Sequence, residues 1–233
     1  MLILFPMNGE GRRFYEAGFT VPKPLLPVKE TTMIEHVLSH YPKFEPKLFL
    51  VRTDNYKELA LILKEKGLTL GVTAQTAGPL QTISFSKIAK YLAKQDVLVA
   101  DCDSFLNLEE LEGMISKLAL SSARCGTGLR KSDSKDYSYA KLNIDQEGNH
   151  FIVQTREKDP FTRDSTTGPY WFRDGQQFLK YTDQAVKDGV FSVSELFNYY
   201  LRDGYRVLGV PVKTFTHIGT PEELNAYNRR PNV

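Results

Sequence analysis

The sequence contains few cysteines, almost no net charge and no long apolar run. Its two cysteines, Cys102 and Cys125, are too few for a disulfide framework or a zinc cluster, and they favour a reducing compartment such as the cytoplasm. Thirty basic residues against 28 acidic ones leave a formal charge of +2, which argues against a general nucleic-acid or membrane-surface binder. No apolar run approaches the ~18 residues of a membrane span. Together with the charge balance, this leads us to expect neither nucleic acid nor a membrane as a partner.

The length of the chain favours one α/β domain. Its 233 residues are enough to bury a sizeable core, and no repeat, low-complexity tract or linker divides them. The apolar start, Met1–Met7, lacks the basic region of a signal peptide and predicts a buried first strand. We therefore expect a single domain over residues 1–233.

Strands alternate with helices in the first half of the chain. Further strands are predicted over Lys47–Val51, Leu68–Thr73 and Val97–Ala100. Helices are predicted after Thr31/Thr32, over Tyr56–Lys66 and Leu80–Leu92, and from near Leu108. This alternation is typical of parallel strands joined by right-handed crossovers.

The second half is richer in strands joined by polar turns. Strands are predicted over Ala123–Leu129, Ser138–Ile144, Phe151–Thr155, Pro169–Phe172 and Arg206–Val212. Helices are predicted over Gly175–Tyr181, Val193–Arg202 and Pro221–Tyr227. The whole pattern predicts an α/β fold with a mixed, mostly parallel sheet flanked by helices.

The first strand is followed by a segment suited to holding phosphate. Gly9 and Gly11 allow a tight turn whose backbone N–H groups can approach an anion. Arg13 adds a planar, permanently charged guanidinium. Ten residues further on, Lys23 lies between two prolines that stiffen the chain around it.

This opening stretch resembles the signature of the nucleotidylyltransferase (sugar-phosphate pyrophosphorylase) family. The resemblance implies a Rossmann-like fold of the nucleotide-diphospho-sugar transferase type, with residues 1–120 binding nucleotide and 121–233 binding the acceptor. It implies that Gly9 and Gly11 wrap a nucleoside triphosphate, while Arg13 and Lys23 assist the departing pyrophosphate as catalytic residues. It also implies a phosphorylated small molecule as the second substrate and, from relatives, a role in polysaccharide biosynthesis.

Four more residues are candidates for nucleotide binding. Met7 and Asn8 stand where many relatives have two small residues before the first glycine. Gln75 and Gly78 match a glutamine and a glycine that recognise the base in the family, and a glutamine amide offers both a donor and an acceptor. Without the resemblance, an ordinary Gly-Pro turn would explain the second pair equally well.

The carboxylates Asp101 and Asp103 follow a predicted buried strand. Ligands of open α/β sheets bind beyond the carboxyl ends of the strands, and carboxylate oxygens suit Mg²⁺. Asp103 matches the family's catalytic metal-binding aspartate, and Asp101 is a second candidate. The alternative is that these carboxylates cap the helix near Leu108 or are only solvated.

The acceptor residues implied by the resemblance are Tyr139, Glu157 and Lys158. The last two match a Glu-Lys pair whose lysine holds the acceptor phosphate and whose glutamate touches the sugar, although an exposed Glu-Lys pair is usually only surface. Here the pair reads EKDP where the family commonly has EKP. Tyr139 precedes Ala140, where relatives often have glycine beside the sugar.

His217 is the clearest departure from the family pattern. It precedes Ile218-Gly219-Thr220-Pro221 in a segment that resembles the closing D-x-GTPEEL motif, where the family has a second metal-binding aspartate. Imidazole suits transition metals better than Mg²⁺. Either Asp103 holds the metal without it, or the metal is one such as Mn²⁺, or catalysis is impaired; a structural histidine is the plain alternative.

Three functions therefore remain open. The first is a metal-dependent nucleotidylyltransferase that uses Mg²⁺ or Mn²⁺. The second is a glycosyltransferase that uses Asp101-x-Asp103 with a nucleotide-sugar, and the third is a non-catalytic nucleotide-binding module. The sequence names neither the base nor the acceptor, and it leaves a homo-oligomer open.

Overall fold

The computed structural model of the protein describes residues 1–72, 75–92 and 95–231. Its strands are β1 (Leu2–Met7), β2 (Pro27–Val28), β3 (Thr31–Thr32), β4 (Lys47–Arg52), β5 (Leu68–Val72), β6 (Val97–Val99), β7 (Ser104–Leu106), β8 (Cys125–Lys131), β9 (Tyr139–Ile144), β10 (His150–Arg156), β11 (Asp164–Phe172), β12 (Val207–Pro211) and β13 (Phe215–His217). Its α-helices are α1 (Arg12–Glu16), α2 (Met33–Leu38), α3 (Tyr56–Leu63), α4 (Pro79–Phe85), α5 (Ala89–Leu92), α6 (Leu108–Leu120), α7 (Gly175–Lys187), α8 (Phe197–Arg202) and α9 (Pro221–Asn228). Thr73, the predicted end of the third strand, lies outside the described residues.

Within the described residues, nine strands form one mixed sheet in the order β5-β4-β1-β6-β11-β8-β12-β10-β9. The strands β10 and β11 run opposite to the other seven. Two short antiparallel ribbons, β2–β3 and β7–β13, stand beside the sheet. The predicted mixed and mostly parallel sheet flanked by helices is therefore confirmed.

The strand β1 shows how the sheet is buried on both faces. Ile3 and Phe5 pack into one hydrophobic cluster, whereas Leu2 and Leu4 pack into a second. Since successive side chains of a strand point to opposite faces, these clusters are the cores above and below the sheet. Both cores draw residues from each half of the chain. The assignment of one half to each substrate stays a prediction.

Two predicted boundaries differ from the structure for local reasons. The predicted helix Leu80–Leu92 is divided into α4 and α5, because Lys87 adopts φ +55° between them. The predicted strand Pro169–Phe172 is the second half of β11, which begins at Asp164 and pairs with β8 through a register shift. By contrast, α2 begins as expected, with Thr32 and Glu35 forming a capping box.

The topology brings the candidate residues to one edge of the sheet. The glycine-rich loop follows β1, Gln75 lies shortly after β5, and Asp101 follows β6. These three strands run parallel, so their carboxyl ends meet at the same edge. None of the helices formed by the described residues has the length and apolar character needed to cross a membrane.

Candidate active site

A cleft lies at this edge and consists of two adjoining cavities of about 450 and 630 Å³. Both cavities are lined by the glycine-rich loop, Lys23, Lys158 and three carboxylates, which are Asp101, Asp103 and Asp136. The larger cavity, here called the nucleotide end, also reaches Arg13, Gln75 and Gly78. The smaller cavity, the acceptor end, also reaches Met7, Tyr137, Ser138, Glu157, Ser192 and His217. Because they share so many residues, the two cavities form one continuous cleft.

The two glycines of the opening loop have different reasons to lack a side chain. Gly11 precedes α1 with φ +67°, a left-handed conformation, and a Cβ there would lie 3.1 Å from the Cβ of Lys23. Gly9 has no such conformation, and a Cβ on it would meet only open space. Gly11 is therefore required by the fold, whereas Gly9 leaves room in the cleft.

The residues predicted to face the base lie close to one another. Asn8 is buried, and its amide nitrogen donates to Thr76 Oγ1 at 2.9 Å. The Gln75 amide donates to the Glu10 carboxylate across the mouth of the nucleotide end. At Gly78 a Cβ would lie 2.8 Å from the Cβ of Phe191, so this glycine also permits a close contact with the second half of the chain.

A chain of charged groups crosses the middle of the cleft. The Lys23 ammonium donates to Asp103 Oδ2, and His217 Nε2 lies 3.7 Å from the same oxygen. The β7–β13 ribbon places His217 opposite Ser104, next to Asp103. Burial would raise the pKa of Asp103, but the charges of Lys23 and His217 outweigh it and lower that pKa to about 2. Asp103 is thus a firmly ionised carboxylate.

Asp101 has the opposite behaviour in the same cleft. Burial, together with the neighbouring charge of Asp103, raises the pKa of Asp101 to about 7. Two carboxylates this close resist sharing two negative charges unless a cation lies between them. Their contrast marks this part of the cleft as a place that gains from an added positive charge.

The donor set at Asp103 fits a hard divalent cation. Mg²⁺ takes one or two carboxylates together with phosphate oxygens, which Asp103 and Asp101 can supply with a bound phosphate. His217 Nδ1 lies 2.7 Å from Glu223 Oε2, while Nε2 faces Asp103. Burial would lower the pKa of His217, but Glu223 and Asp103 raise it. Both ring nitrogens of His217 therefore lie near carboxylates, and its candidacy as a metal ligand stays a prediction.

Arg13 at the nucleotide end reaches across to the loop between β8 and β9. Its Nη2 lies 2.8 Å from Asp136 Oδ1, and both side chains are about two-fifths exposed, at 43% and 41%. The pair joins the glycine-rich loop to a residue of the second half of the chain. Sequence reasoning identified Arg13 but not its partner.

At the acceptor end, Glu157 and Lys158 both line the cleft, and their role in binding the acceptor stays a prediction. Lys158 has φ +53°, a left-handed conformation that is rare for a residue with a side chain. Its backbone N–H donates to the Tyr137 carbonyl at 3.1 Å. This backbone turn at the end of β10 directs consecutive side chains into one cleft.

Glu157 is held by a ring of three serine hydroxyls. Ser138 and Ser192 both donate to Glu157 Oε2, the second at 2.9 Å. Ser194 completes the ring with Oγ–Oγ distances of 2.8 Å to each of these serines. Two of the three hydroxyl protons are therefore committed to one oxygen of Glu157.

The prediction for Tyr139 does not agree with its position. Its side chain is fully buried, and its hydroxyl donates to the Ser134 carbonyl at 2.7 Å. Of these two neighbouring tyrosines, Tyr137 is the one that lines the cleft, and its hydroxyl donates to Glu223 at 3.2 Å. The cleft-facing tyrosine precedes β9, whereas Tyr139 is the first residue of that strand.

The serine ring and Asp136 were missed for a simple reason. Ser138 lies more than 50 residues before Ser192 and Ser194 in the sequence, and an isolated serine carries no local signal. Asp136 lies in the polar stretch 131–136, which reads as an ordinary connection between strands. Only the polar character of a loop that ends beside a cleft tyrosine could have drawn attention to it.

Solved structures show the class of fold to which this protein belongs. The nucleoside-diphosphate-sugar pyrophosphorylase from Vibrio cholerae RC9 is 22% identical, with 98% of this chain and 100% of that one covered and a TM-score of 0.80. A candidate glucose-1-phosphate thymidylyltransferase from Bacillus anthracis is 17% identical, covers 100% and 96%, and also scores 0.80. A UDP-glucose pyrophosphorylase complexed with UDP-glucose is 16% identical, covers 97% and 96%, and scores 0.76. The fold is of the nucleotide-diphospho-sugar transferase type.

The family itself is settled by sequence. The model of the family described as "Nucleotidyl transferase" matches residues 3–230, nearly the whole chain. The protein therefore belongs to the nucleotidyl transferase family of enzymes. No curated protein sequence matches this chain.

Proposed function

We propose that the protein transfers a nucleoside monophosphate group from a nucleoside triphosphate to the phosphate of a sugar 1-phosphate or a similar small molecule, releasing pyrophosphate. The observation that carries this proposal is the continuous cleft. Its lining includes the glycine-rich loop, Arg13 and Lys23, the Glu157–Lys158 pair, and Asp103. The names of the structural neighbours support a sugar phosphate as acceptor.

The residues of the cleft suit in-line attack on the α-phosphorus by an oxygen of the acceptor phosphate. Such chemistry depends on alignment and charge neutralisation, which Arg13 and Lys23 supply to the leaving pyrophosphate. Lys158 holds the incoming phosphate, which is already anionic and needs no general base. Asp103, with Asp101 beside it, would hold Mg²⁺ or Mn²⁺, which when bound neutralises charge on the α-phosphate.

In the free protein, Lys23 joins the group proposed to neutralise pyrophosphate to the carboxylate proposed to hold the metal. Its ammonium pairs with Asp103 and so offsets the charge of that carboxylate before any substrate is bound. Burial would lower the pKa of Lys23, but the charge of Asp103 raises it above its ordinary value. A group held in this way stays charged when it turns towards a phosphate.

The test is pyrophosphate release from each of ATP, CTP, GTP, UTP and dTTP with a pool of phosphorylated metabolites, first in Mg²⁺ and then in Mn²⁺. We expect release that requires one triphosphate and the pool together. Fractionation of the pool then identifies the acceptor. Triphosphate binding without release under any of these conditions would contradict the proposal and support a non-catalytic module.

A glycosyltransferase is the second candidate, because Asp101 and Asp103 both line the cleft in a D-x-D arrangement. It accounts for these carboxylates but not for the glycine-rich loop with Arg13. The same assay with UDP-sugars separates the two functions. Sugar transfer without pyrophosphate release would favour the glycosyltransferase.

A further inference from the structure

The ion pair between Arg13 and Asp136 occupies the place where a triphosphate would need Arg13. Asp136 Oδ1 lies 2.8 Å from Arg13 Nη2, and Asp136 lines both cavities of the cleft. Phosphate oxygens and carboxylate oxygens bind a guanidinium through the same N–H groups. Arg13 therefore cannot give these groups fully to a phosphate while it remains paired with Asp136.

The loop that carries Asp136 is anchored from several sides. Arg163 Nε and Nη2 donate to the two carboxylate oxygens of Asp133 at 3.0 and 2.8 Å. The Ser134 hydroxyl donates to Asp136 Oδ2 at 3.2 Å, and the Ser134 carbonyl accepts from Tyr139 at 2.7 Å. The buried hydroxyl of Tyr139 therefore helps to fix the loop that carries Asp136. These contacts hold the loop in place and keep Asp136 Oδ1 directed at Arg13.

The electrostatics make this pair easy to exchange. Ion pairs between half-exposed side chains contribute little to stability, and salt screens them further. A pyrophosphate group carries several negative charges and can accept from both terminal nitrogens of a guanidinium. Pyrophosphate would thus displace the Asp136 carboxylate from Arg13. The negative charge of Asp136 stays nearby and weakens the binding of pyrophosphate by repulsion.

We propose that Asp136 is a positioning residue that competes with the pyrophosphate group for Arg13. It holds the guanidinium in the cleft before substrate binds, and it takes the guanidinium back as pyrophosphate departs. This inference rests on the proposed function, because it needs Arg13 to bind the triphosphate. Its consequence is that the protein binds pyrophosphate more weakly than its own side chains would allow.

The experiment is calorimetric titration of the intact protein with inorganic pyrophosphate, without added metal, at low salt and at 1 M salt. The variants are Asp136→Asn, Asp136→Glu, Arg13→Ala and the double variant Asp136→Asn with Arg13→Ala. Asp133→Asn is the matched control. It removes the same charge from the same loop, but Asp133 pairs with Arg163 and not with Arg13. The unchanged protein, Asp136→Asn, Arg13→Ala and the double variant form a double-mutant cycle. Their pyrophosphate affinities together isolate the coupling between Asp136 and Arg13.

We expect Asp136→Asn to tighten pyrophosphate binding by roughly two- to fivefold at low salt, the range of an exposed ion pair. Asp136→Glu should restore the weaker binding, and Asp133→Asn should not change it. The gain should largely disappear in the Arg13→Ala background and at 1 M salt, where the Debye length is about 3 Å.

Two other results would overturn the inference in distinguishable ways. If Arg13→Ala weakens binding but Asp136→Asn leaves it unchanged or weakens it, Asp136 does not compete and the proposed function stands. If pyrophosphate binding is absent, or is indifferent to Arg13→Ala, the phosphate role of Arg13 falls and the inference falls with it. The separate values of kcat and KM for the triphosphate give a second readout, because slower product release in Asp136→Asn would lower both of them.

Discussion

The two ends of the cleft are built from different kinds of sequence. The nucleotide end takes its proposed phosphate-binding groups, Gly9, Gly11, Arg13 and Lys23, from one short stretch of the chain. The acceptor end assembles Ser138, Glu157 and Ser192 from three distant segments of the second half. Asp103 lies where the two ends meet.

This difference corresponds to the two substrates: the triphosphate is common to all nucleotides, whereas the acceptor differs between enzymes. A triphosphate presents the same groups in every nucleotide, so a contiguous backbone loop with fixed cations can hold it. An acceptor differs from one enzyme to the next, and its hydroxyls are best matched by side chains whose orientation neighbouring hydroxyls control. If this is right, substitutions at the two ends should affect different substrates.

The largest effect is expected where the ends meet. Asp103→Asn should lower turnover by about 10²- to 10³-fold, because the charge between the substrates and a ligand for the metal are lost together. Pyrophosphate release at saturating substrates measures the change. Thermal unfolding serves as the control, since the variant also leaves the Lys23 ammonium without its partner. Near-normal turnover in a folded variant would remove Asp103 from the mechanism.

A change at Lys158, which lines both cavities, should act mainly on the acceptor, whose phosphate it is proposed to hold. Lys158→Gly removes the ammonium while suiting the left-handed backbone at φ +53°. We expect the KM of the acceptor to rise by about 10- to 100-fold, the worth of a hydrogen bond to a charged group, with triphosphate KM little changed.

Lys158→Ala is the matched variant for the backbone. It should show the same kinetic defect but unfold more easily than Lys158→Gly by roughly 1 kcal/mol, since alanine keeps the cost of the left-handed conformation. A rise in the KM of the triphosphate as large as that of the acceptor would show that Lys158 does not distinguish the two ends.

The glycines of the opening loop should separate binding from stability. Gly9→Ala places a methyl group in the open cleft, so triphosphate binding should weaken by about tenfold or more while stability stays within ~0.5 kcal/mol. Gly11→Ala should instead cost about 1–2 kcal/mol of stability, because a Cβ there is strained and close to Lys23.

Calorimetric titration with the triphosphate and urea unfolding measure the two quantities for each glycine variant. Equal losses of stability in the two variants would show that the loop has no free space reserved for a ligand. Unchanged binding in Gly9→Ala would place the phosphates elsewhere in the cleft.

The smallest effect is expected in the serine ring. Ser192→Ala removes one donor to Glu157 and should raise the KM of the acceptor by about two- to tenfold, with no change in that of the triphosphate. Ser192→Thr keeps the hydroxyl and should recover most of the loss. A kcat defect without a change in acceptor KM, or no rescue by threonine, would mean that the ring does not position Glu157.

Much of the fold could be predicted because local and global patterns agree. The apolar run of β1 and the capping box at Thr32 each produce the element that their sequence indicates. The break at Lys87 and the β7–β13 ribbon could not be predicted in the same way. They depend on tertiary contacts, such as the pairing of Ser104 with His217, that no short window contains.

The candidate site divides along the same line. Gly9, Gly11, Arg13 and Lys23 were found because their spacing within one segment carries the signal. The contacts of His217 could not be predicted from sequence, because they depend on the fold bringing Glu223 to 2.7 Å from Nδ1. Asp136 and the serine ring depend wholly on which loops the sheet brings to one edge.

The most direct test of the central claim is the fate of the three phosphates of the triphosphate, followed by ³¹P NMR during turnover with the acceptor. We predict that the α-phosphate becomes part of a new diphosphate linkage to the acceptor, with one equivalent of free pyrophosphate formed for each linkage. Loss of only the terminal phosphate, or a product formed without any pyrophosphate, would contradict the account.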